Sequence, residues 1–600
     1  MPPLCERVLL LLTAASLLLG SEATGDRAVS LEVNQWVSEE DSSTGKTGDS
    51  PGAGDPAAVC GDVSCEHFGK SEEDYESDQK LLELLVEAEA TERGDSVTED
   101  AVSDGMYEGD IVLGKKELIQ ILEDIGGGTG DGTRRKRKLT LMDPLWPAGH
   151  IHYKFHPSIE HDTEHMILDG MAAWEDLTCL KFHPKTHATT NYIEFVSGSG
   201  CWSYIGMQGG RQEISIQNDC CDWETLIVHE IGHALGFWHE QSRSDRDSYL
   251  TVKWGNIRSD RKHNFHMRTS SEATSLGIAY DFSSVMHYGN LDFSKNNKFT
   301  LLAHDPTLQH SMGDVTYRKG ITFYDAKLIN MAYCSSSCNG HGSAPCENRG
   351  MQNPNACAKC ICPDGLHGDY CEDANHPVGN VGGLTGGNVF VHCHSYGHIS
   401  ATLPGGQSGF PYETSVTWLL ISPPGSTITI HIITIETAYW VHTSNGVAAP
   451  QYGCPDWIEV RYDDIGRGGP KFCTNNEYGY PTFESTENKV LIVAQTWFSP
   501  YDLHFRIDYE VHCGGSCTCL EWGSWSPCHA TAPGFCGCRR EHRHCMSHAG
   551  SCSDAELIEE RTCGQIVVAC DGHTCCDNYV IMHSCYDVFV GHNTPQCVHF

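Results

Sequence analysis

The sequence predicts a multidomain protein, in which an α/β domain with a metal-binding helix precedes a small disulfide-rich module and an all-β sandwich. Three observations lead to this prediction. The chain has 600 residues, whereas a single domain usually has about 100–200. It contains 31 cysteines, a number that is typical of proteins folded in an oxidising compartment. Two histidines four residues apart lie on an apolar helical segment, and short alternating strands follow Gly379.

The charge balance excludes one large class of partners. The chain has 40 Lys+Arg against 79 Asp+Glu, which gives a formal net charge of -39. A nucleic-acid-binding face needs clustered basic side chains that displace counterions from phosphates, so we expect no nucleic-acid partner. After the N-terminal segment no run of about 18 consecutive apolar residues occurs, so we also expect no membrane partner.

The N-terminal quarter of the chain is predicted to be removed from the mature protein. Residues 1–23 form a predicted signal peptide, because Arg7 precedes an apolar run from Val8 to Leu19 that is too short to span a bilayer. Residues 24–137 are acidic and poor in aromatic side chains, so much of this segment is expected to be disordered.

This acidic segment ends in four basic residues, RRKR, at 134–137. A secretory proprotein convertase can reach such a tetrad on an exposed loop, with a solvated basic loop as the alternative interpretation. We therefore predict a propeptide over 24–137, cleavage between Arg137 and Lys138 by a convertase, and a secreted, extracellular product.

The strongest motif is HEIGHALGFWH at 229–239. Residues four apart share one face of a helix, so His229 and His233 point at the same spot. Gly236 lets the chain leave the helix, and His239 can then return as a third ligand. Three neutral imidazoles leave a coordination position open, which is typical of a catalytic zinc site. The motif therefore predicts one Zn2+ per chain with Glu230 beside it, rather than an apolar helix with incidental histidines.

This motif resembles that of the astacin family of zinc endopeptidases. The match continues through EQSRSDRD at 240–247 and SVMHY at 284–288. The resemblance implies an α/β zincin (metzincin) catalytic domain over 138–334 and zinc-dependent endopeptidase activity. The resemblance also implies roles for three further residues. Tyr288 would be a zinc ligand that can detach, Met286 would support the site from below, and Glu240 would contact the mature N-terminus. The disulfides that it implies are Cys179–Cys334 and Cys201–Cys221.

The resemblance also implies how the site works. Glu230 is expected to take a proton from the attacking water and to pass it to the leaving amine, while Tyr288 donates to the oxyanion. A substrate is expected to add as an extended strand near Cys201–Ile205. Arg318 and Lys319 are candidates for an S1′ pocket that favours acidic side chains, although two solvated surface charges are the preferred interpretation.

Hydrophobic periodicity gives the elements around this motif. Asp162–Cys179 is predicted to be an amphipathic helix, with apolar side chains at helical spacing. His150–Phe155 and Tyr192–Val196 are predicted to be strands.

A second motif, YEGD at 107–110, lies within the predicted propeptide. It resembles the FxGD motif of astacin propeptides, with Tyr107 in place of the phenylalanine. The resemblance implies that the Asp110 carboxylate binds zinc in the zymogen, where the catalytic water would otherwise lie. The alternative is an ordinary acidic turn, because Gly-Asp is a common turn pair.

Cysteine-rich and β-rich segments follow the catalytic domain. Residues 335–375 resemble an EGF-like module, although six cysteines allow fifteen pairings by spacing alone. The pairs that this resemblance implies are Cys338–Cys357, Cys346–Cys360 and Cys362–Cys371. Residues 389–513 resemble a CUB domain, an all-β sandwich in which calcium is not expected. The cysteine that a CUB domain is expected to have just before Trp418 is absent, so Cys393 needs another partner, such as Cys513. The other predicted disulfide cysteines are Cys454 and Cys473.

Residues 516–564 carry WGSWSPC at 522–528 and resemble a thrombospondin type-1 module, which implies C-mannosylation of Trp522. The tail over 565–600 is rich in cysteine and resembles no module, and the partner of Cys220 stays open.

The module order resembles the nematode-type astacins. That resemblance implies extracellular matrix proteins as substrates, such as cuticle collagen precursors, in cuticle formation or moulting. The alternative hypothesis is a catalytically silent matrix-adhesion protein that acts through its CUB and thrombospondin modules.

Overall fold

The computed structural model describes most of the catalytic region and the β-rich region that follows it. The described ranges are 72–94, 105–127, 139–140, 144–218, 224–269, 272–313, 320–379, 381–404, 414–436, 442–444, 447–449, 456–473, 481–496, 502–513, 518–522, 540–549 and 558–562. Several predicted features lie outside these ranges: the signal peptide 1–23, the cleavage site at Arg137 and Lys138, the candidates Arg318 and Lys319, and the cysteines Cys220, Cys221 and Cys454.

The α-helices of the described residues are α1 (Glu72–Arg93), α2 (Lys115–Gly127), α3 (His161–Leu177), α4 (Glu224–Ala234) and α5 (Phe323–Tyr333). Short 3-10 turns lie at Pro147–Gly149, Glu240–Ser242, Arg246–Ser248, Trp254–Asn256, Ser259–Phe265 and Pro306–Ser311. None of the helices in the described ranges combines the length and the apolar character needed to cross a membrane.

The strands up to residue 334 are β1 (Ile111–Val112), β2 (Leu139–Thr140), β3 (His150–Phe155), β4 (Lys181–Pro184), β5 (Tyr192–Val196), β6 (Trp202–Tyr204), β7 (Arg211–Ser215), β8 (Leu250–Val252), β9 (Ala273–Thr274) and β10 (Leu301–Ala303). Six of them form one mixed sheet in the order β1-β6-β7-β5-β3-β4. The pairs β2–β9 and β8–β10 form two small antiparallel sheets.

The helix α4, which carries His229 and His233, packs in the core against helix α3 and against strands β6 and β7 of this sheet. The side chains of Ile227, Val228 and Ile231 are fully buried, so α4 is apolar on several sides. A Cβ on Gly170 of α3 would lie 2.9 Å from Cγ2 of Ile227, which shows how closely the two helices approach. The Trp174 indole donates to the Val228 carbonyl over 3.1 Å and ties α3 to α4.

The predicted elements around the motif are confirmed. Strands β3 and β5 have the predicted bounds, and the predicted helix 162–179 is α3, which begins at His161 and ends at Leu177. The helix ends two residues early because Thr178 has an extended backbone, with φ of -142°.

The expectation of disorder is wrong for the described part of residues 24–137, which folds into α1, β1 and α2. Its apolar side chains recur at helical spacing along α1, and Leu81, Leu85 and Val86 are buried while Glu83 and Glu87 are exposed. These leucines pack with α2 and with Trp238 of the catalytic domain. The low average hydrophobicity of the segment therefore concealed the fact that α1 is amphipathic and packs its apolar face against α2 and Trp238.

The strands beyond residue 334 are β11 (Met351–Gln352), β12 (Cys360–Ile361), β13 (Leu366–His367), β14 (Asp373–Ala374), β15 (Gly387–Phe390), β16 (Tyr396–Leu403), β17 (Thr414–Ile421), β18 (Ser426–Glu436), β19 (His442–Ser444), β20 (Val447–Ala449), β21 (Asp456–Arg461), β22 (Lys471–Phe472), β23 (Thr482–Glu484), β24 (Lys489–Thr496), β25 (Leu503–Cys513), β26 (Thr518–Trp522), β27 (Arg540–Ala549) and β28 (Ile558–Thr562).

The segment that contains β11 to β14 has little core and is held by disulfides. The pairs are Cys338–Cys357, Cys346–Cys360 and Cys362–Cys371. The next region contains a five-stranded sheet, β15-β17-β24-β21-β22, and a four-stranded sheet, β16-β25-β18-β23. One hydrophobic cluster contains residues of both sheets, such as Leu420 and Ile507, so the two sheets form a sandwich. Cys393 is bonded to Cys513 within it.

The sandwich contacts the catalytic region directly. The Tyr324 hydroxyl on α5 donates to Asp464 over 2.5 Å, and the Ser311 hydroxyl donates to the carbonyl of Gly469 over 2.9 Å. One contact is made by α5 and the other by the 3-10 turn Pro306–Ser311.

Candidate active site

Three histidines converge at the C-terminal end of α4. His229 and His233 occupy adjacent turns of this helix, which ends at Ala234. Gly236 then adopts φ of 111°, a conformation that is costly for other residues, and the chain turns back towards the helix. His239 thereby comes close to the first two histidines, because its Nε2 lies 3.3 Å from Nε2 of His229. Nε2 of His233 lies 3.0 Å from the same atom.

Each imidazole is oriented by an oxygen at its other nitrogen. Nδ1 of His229 lies 2.6 Å from the Val285 carbonyl, and Nδ1 of His233 lies 2.8 Å from the Phe237 carbonyl. A carbonyl only accepts hydrogen bonds, so both Nδ1 atoms carry the proton and both Nε2 atoms present a lone pair. Nδ1 of His239 lies 2.8 Å from a carboxylate oxygen of Glu108, which has the same effect.

The Asp110 carboxylate faces these nitrogens. Its Oδ2 lies 3.3 Å from Nε2 of His229, and its Oδ1 lies 3.3 Å from Nε2 of His239. Although burial disfavours the charge, the facing imidazoles, His239 first, hold the pKa of the Asp110 carboxyl well below its usual value. Four acceptor atoms that point at one another repel unless a cation lies between them. The ligand atoms of Asp110, His229, His233 and His239 all lie within 4.8 Å of one another, so the residues fit a zinc ion.

Glu230 follows His229 on α4 and is 1% exposed. Burial, and then the charge of Asp110, raise the pKa of the Glu230 carboxyl well above its usual value. Its Oε2 is buried and accepts no hydrogen bond within the described ranges. A buried carboxyl beside a metal centre fits the general-base role that the motif predicts, and that role stays a prediction.

Tyr288 and Met286 lie on a turn beneath the histidines. The Tyr288 hydroxyl donates to the backbone carbonyl of Glu108, and its ring lies 4.6 Å from that of His239. The role of Tyr288 as a zinc ligand stays a prediction, because its hydroxyl is hydrogen-bonded to the Glu108 carbonyl in this structure. Met286 is fully buried, and a Cβ on Gly232 would lie 2.9 Å from its sulfur. The methionine therefore packs directly under α4.

Sequence reasoning missed the residue that fixes this turn. The Asp325 carboxylate accepts from the Ser284 hydroxyl over 2.8 Å and from the Val285 amide over 3.0 Å. Because Val285 also supplies the carbonyl that orients His229, Asp325 supports the metal site through the backbone. The available signal was TFYD at 322–325, a capping box that places Asp325 at the start of α5.

Glu240 directly follows His239 in the chain and is fully buried. Its Oε1 accepts from the Arg243 guanidinium over 2.9 Å and from the Asp281 amide over 2.8 Å. The contact between Glu240 and the mature N-terminus stays a prediction, because Lys138 lies outside the described residues.

The edge strand predicted to receive substrate is covered. Strand β6, at Trp202–Tyr204, pairs in parallel with β1, in the register Ile111↔Ser203 and Val112↔Tyr204. The Ser203 amide also donates to the Asp110 carbonyl over 3.0 Å. The segment that contains Asp110 therefore occupies both the metal centre and the neighbouring sheet edge.

The predicted disulfides are only partly within the described residues. Cys179 is bonded to Cys334, which ties the end of α3 to the end of α5. Cys201 and Cys473 are also disulfide-bonded, but their predicted partners Cys221 and Cys454 lie outside the described ranges. Trp522 is the last residue of β26.

A buried centre of three histidines, with a glutamate next to the first of them, fits the active site of a zinc metalloendopeptidase. Comparison with known proteins agrees, since the profile of the Astacin peptidase family matches residues 139–334. Zinc metalloproteinase nas-36 of Caenorhabditis elegans is 31% identical over 610 residues, which cover 91% of this chain and 92% of that protein. The chain therefore belongs to the astacin family of zinc metalloendopeptidases, and its substrates are proteins.

Two further relatives show how far the similarity extends. Zinc metalloproteinase dpy-31 of Caenorhabditis elegans is 33% identical, over 64% of this chain and 62% of that protein. The solved structure of High choriolytic enzyme 1, a hatching enzyme zinc-protease from Oryzias latipes, is 34% identical. It covers 32% of this chain and 92% of that chain, with a TM-score of 0.29.

Proposed function

We propose that this chain is a secreted zymogen of an astacin-family endopeptidase that cleaves extracellular matrix proteins, such as cuticle collagen precursors, in cuticle formation or moulting. The observation that carries the zymogen part is the position of Asp110, whose carboxylate faces all three histidine nitrogens at 3.3–3.6 Å. A segment before the basic tetrad thus supplies an anionic ligand to the catalytic centre.

The mechanism follows from the residues around the centre. When bound, zinc polarises the scissile carbonyl and lowers the pKa of the attacking water. Glu230 takes a proton from that water and delivers it to the leaving amine. Tyr288, once released from the Glu108 carbonyl, donates to the oxyanion of the tetrahedral intermediate. Strand β6 holds the substrate in an extended conformation by backbone hydrogen bonds.

Latency follows from the same contacts. Asp110 fills the position that the substrate carbonyl and water need, and β1 covers the edge of β6. Both must leave before a peptide can bind. A convertase cut between Arg137 and Lys138 would free the segment to leave, and the new amine at Lys138 would then approach Glu240.

The matrix part of the proposal rests on the regions after the protease. The three disulfides of 335–375 support an EGF-like module, and the two-sheet sandwich supports a CUB domain over 389–513. A thrombospondin type-1 module over 516–564 and the Cys-rich tail complete the proposed layout. The several disulfides and the predicted signal peptide support secretion. The catalytically silent alternative has no support, because all the predicted zinc ligands and Glu230 are present.

Terminal-amine profiling of nematode cuticle extract tests the proposed substrates. Activated enzyme is expected to create new N-termini in collagen precursors, whereas a Glu230→Gln variant is expected to create none. The same preparation must cut a generic fluorogenic peptide, which shows that it is active. Hydrolysis of that peptide without any new N-terminus in a matrix protein would overturn the matrix part and leave the protease intact.

A further inference from the structure

The segment around Asp110 forms a tight turn that aims two carboxylates at the metal centre. The Tyr107 amide donates to the Ile111 carbonyl over 2.7 Å, and the Ile111 amide donates back to the Tyr107 carbonyl over 2.9 Å. Between them Glu108 has φ of 49° and Gly109 has φ of 87°. A Cβ on Gly109 would lie 2.8 Å from Cζ of Phe293, so this turn needs glycine there.

Glu108 completes a set of three orienting contacts. His229 and His233 receive theirs from carbonyls of the catalytic region, at Val285 and Phe237. His239 receives its contact from the Glu108 carboxylate, over 2.8 Å, and both side chains are fully buried. A carboxylate is a stronger acceptor than a carbonyl, and such second partners fix the orientation of a metal-ligating imidazole and raise its basicity. One of the three supports is therefore on the segment that activation removes.

The catalytic region holds Glu108 in place through Arg268, which is 1% exposed. Its Nε lies 3.4 Å from Oε1 of Glu108, and its Nη2 lies 3.1 Å from Oε1 of Glu89 on α1. The guanidinium also lies over the Tyr107 ring, 4.9 Å from its centroid. The Tyr107 hydroxyl donates to Glu89 over 2.5 Å. The Glu108 carboxylate is thus paired on one side with Arg268 and on the other with His239.

We propose that Glu108 is a positioning residue that holds His239 as a zinc ligand in the zymogen, so that the proform binds zinc more tightly than the mature enzyme does. This rests on the proposed zymogen function. Asp110 adds a ligand to the metal, whereas Glu108 acts through His239, and activation removes both contributions. In the zymogen all three histidines have an orienting acceptor, and the one at His239 leaves with the segment that carries Glu108.

The test measures zinc affinity by competition with a chromophoric chelator, together with the rate of zinc release, in the full-length uncut proform. Glu108→Ala is expected to weaken zinc binding by about 10–100-fold, the usual effect of losing a partner of a ligating histidine. Glu108→Gln is expected to restore most of the affinity, because its amide oxygen still accepts from Nδ1. The zinc affinity of the Asp110→Ala proform is expected to lie between those of the wild-type proform and the mature enzyme, since this variant retains Glu108.

Glu272→Gln is the matched control. Like Glu108, Glu272 is a carboxylate that pairs with Arg268, at 3.5 Å, but the carboxylate that contacts His239 is that of Glu108. Its zinc affinity is expected to equal that of the wild-type proform. Unchanged zinc affinity and release in Glu108→Ala would overturn the inference, as would an equal weakening in Glu272→Gln. A wild-type proform that binds no zinc would instead overturn the proposed function. A loss in Asp110→Ala without one in Glu108→Ala would overturn the inference alone.

Discussion

Replacement of Glu230 by glutamine in the activated enzyme is expected to lower kcat by about 10²–10⁴-fold, the usual contribution of a general base. Glu230 is 1% exposed and follows His229 on α4, so its carboxyl is buried beside the metal centre. Glutamine has the same shape but cannot take a proton from water. Hydrolysis of a fluorogenic peptide measures the loss, and zinc content is expected to stay at one per chain.

An exposed acidic residue of the neighbouring helix provides the control for this variant. Asp169→Asn on α3 removes one negative charge from the surface and is expected to leave kcat unchanged. If the Glu230→Gln enzyme retained more than about a tenth of wild-type kcat, the proton-transfer role would be contradicted, since even a weak general base contributes more.

The second large effect concerns latency. In a proform whose cleavage is blocked by Arg137→Ala, the further change Asp110→Ala is expected to raise peptide hydrolysis at least about tenfold. A tenfold change requires only about 1.4 kcal/mol of stabilisation of the inactive form, a small amount for an anionic zinc ligand. The activity is expected to stay below that of the mature enzyme, because β1 still covers β6 and Arg268 still holds Tyr107. A small fluorogenic peptide measures both proteins under identical conditions.

Asp110→Asn is the matched variant, since it keeps the shape of the side chain and removes the charge. It is expected to release less activity than alanine, because its oxygen still reaches the centre. Equal inactivity of the Asp110→Ala proform and its parent would contradict the switch, and so would a parent proform that is already fully active.

The parts of the site that could be predicted best are formed by residues close together in the sequence. The spacing of His229, His233 and His239 follows from one helix and one glycine turn, and the structure brings these side chains together as expected. Strand bounds such as those of β3 and β5 followed from local periodicity for the same reason. The amphipathic helix α1 was not predicted, because the average composition of residues 24–137 is polar and the apolar face of α1 involves only a few of these residues.

Those contacts between distant parts of the chain that no motif resemblance covered could not be predicted from the sequence. Glu108 meets His239 across 131 positions, and Arg268 meets Tyr107 across 161. Nothing in the local pattern around Arg268 distinguishes it from an ordinary surface cation. It is buried by Glu89, Tyr107 and Glu108 from much earlier in the chain, together with Trp238 and Glu272. The same applies to Asp325, whose capping-box position was readable while its bonds to the turn at Ser284 and Val285 were not.

The proposed activity requires a single zinc held by three histidines. Zinc content and peptide hydrolysis, measured together on the activated enzyme before and after chelation with phenanthroline, test this most directly. We expect one zinc per chain, complete loss of activity on removal, and recovery on addition of one equivalent. A His239→Ala enzyme is expected to fail in both measurements. Full activity of the metal-free protein, or of the His239→Ala variant, would contradict the account.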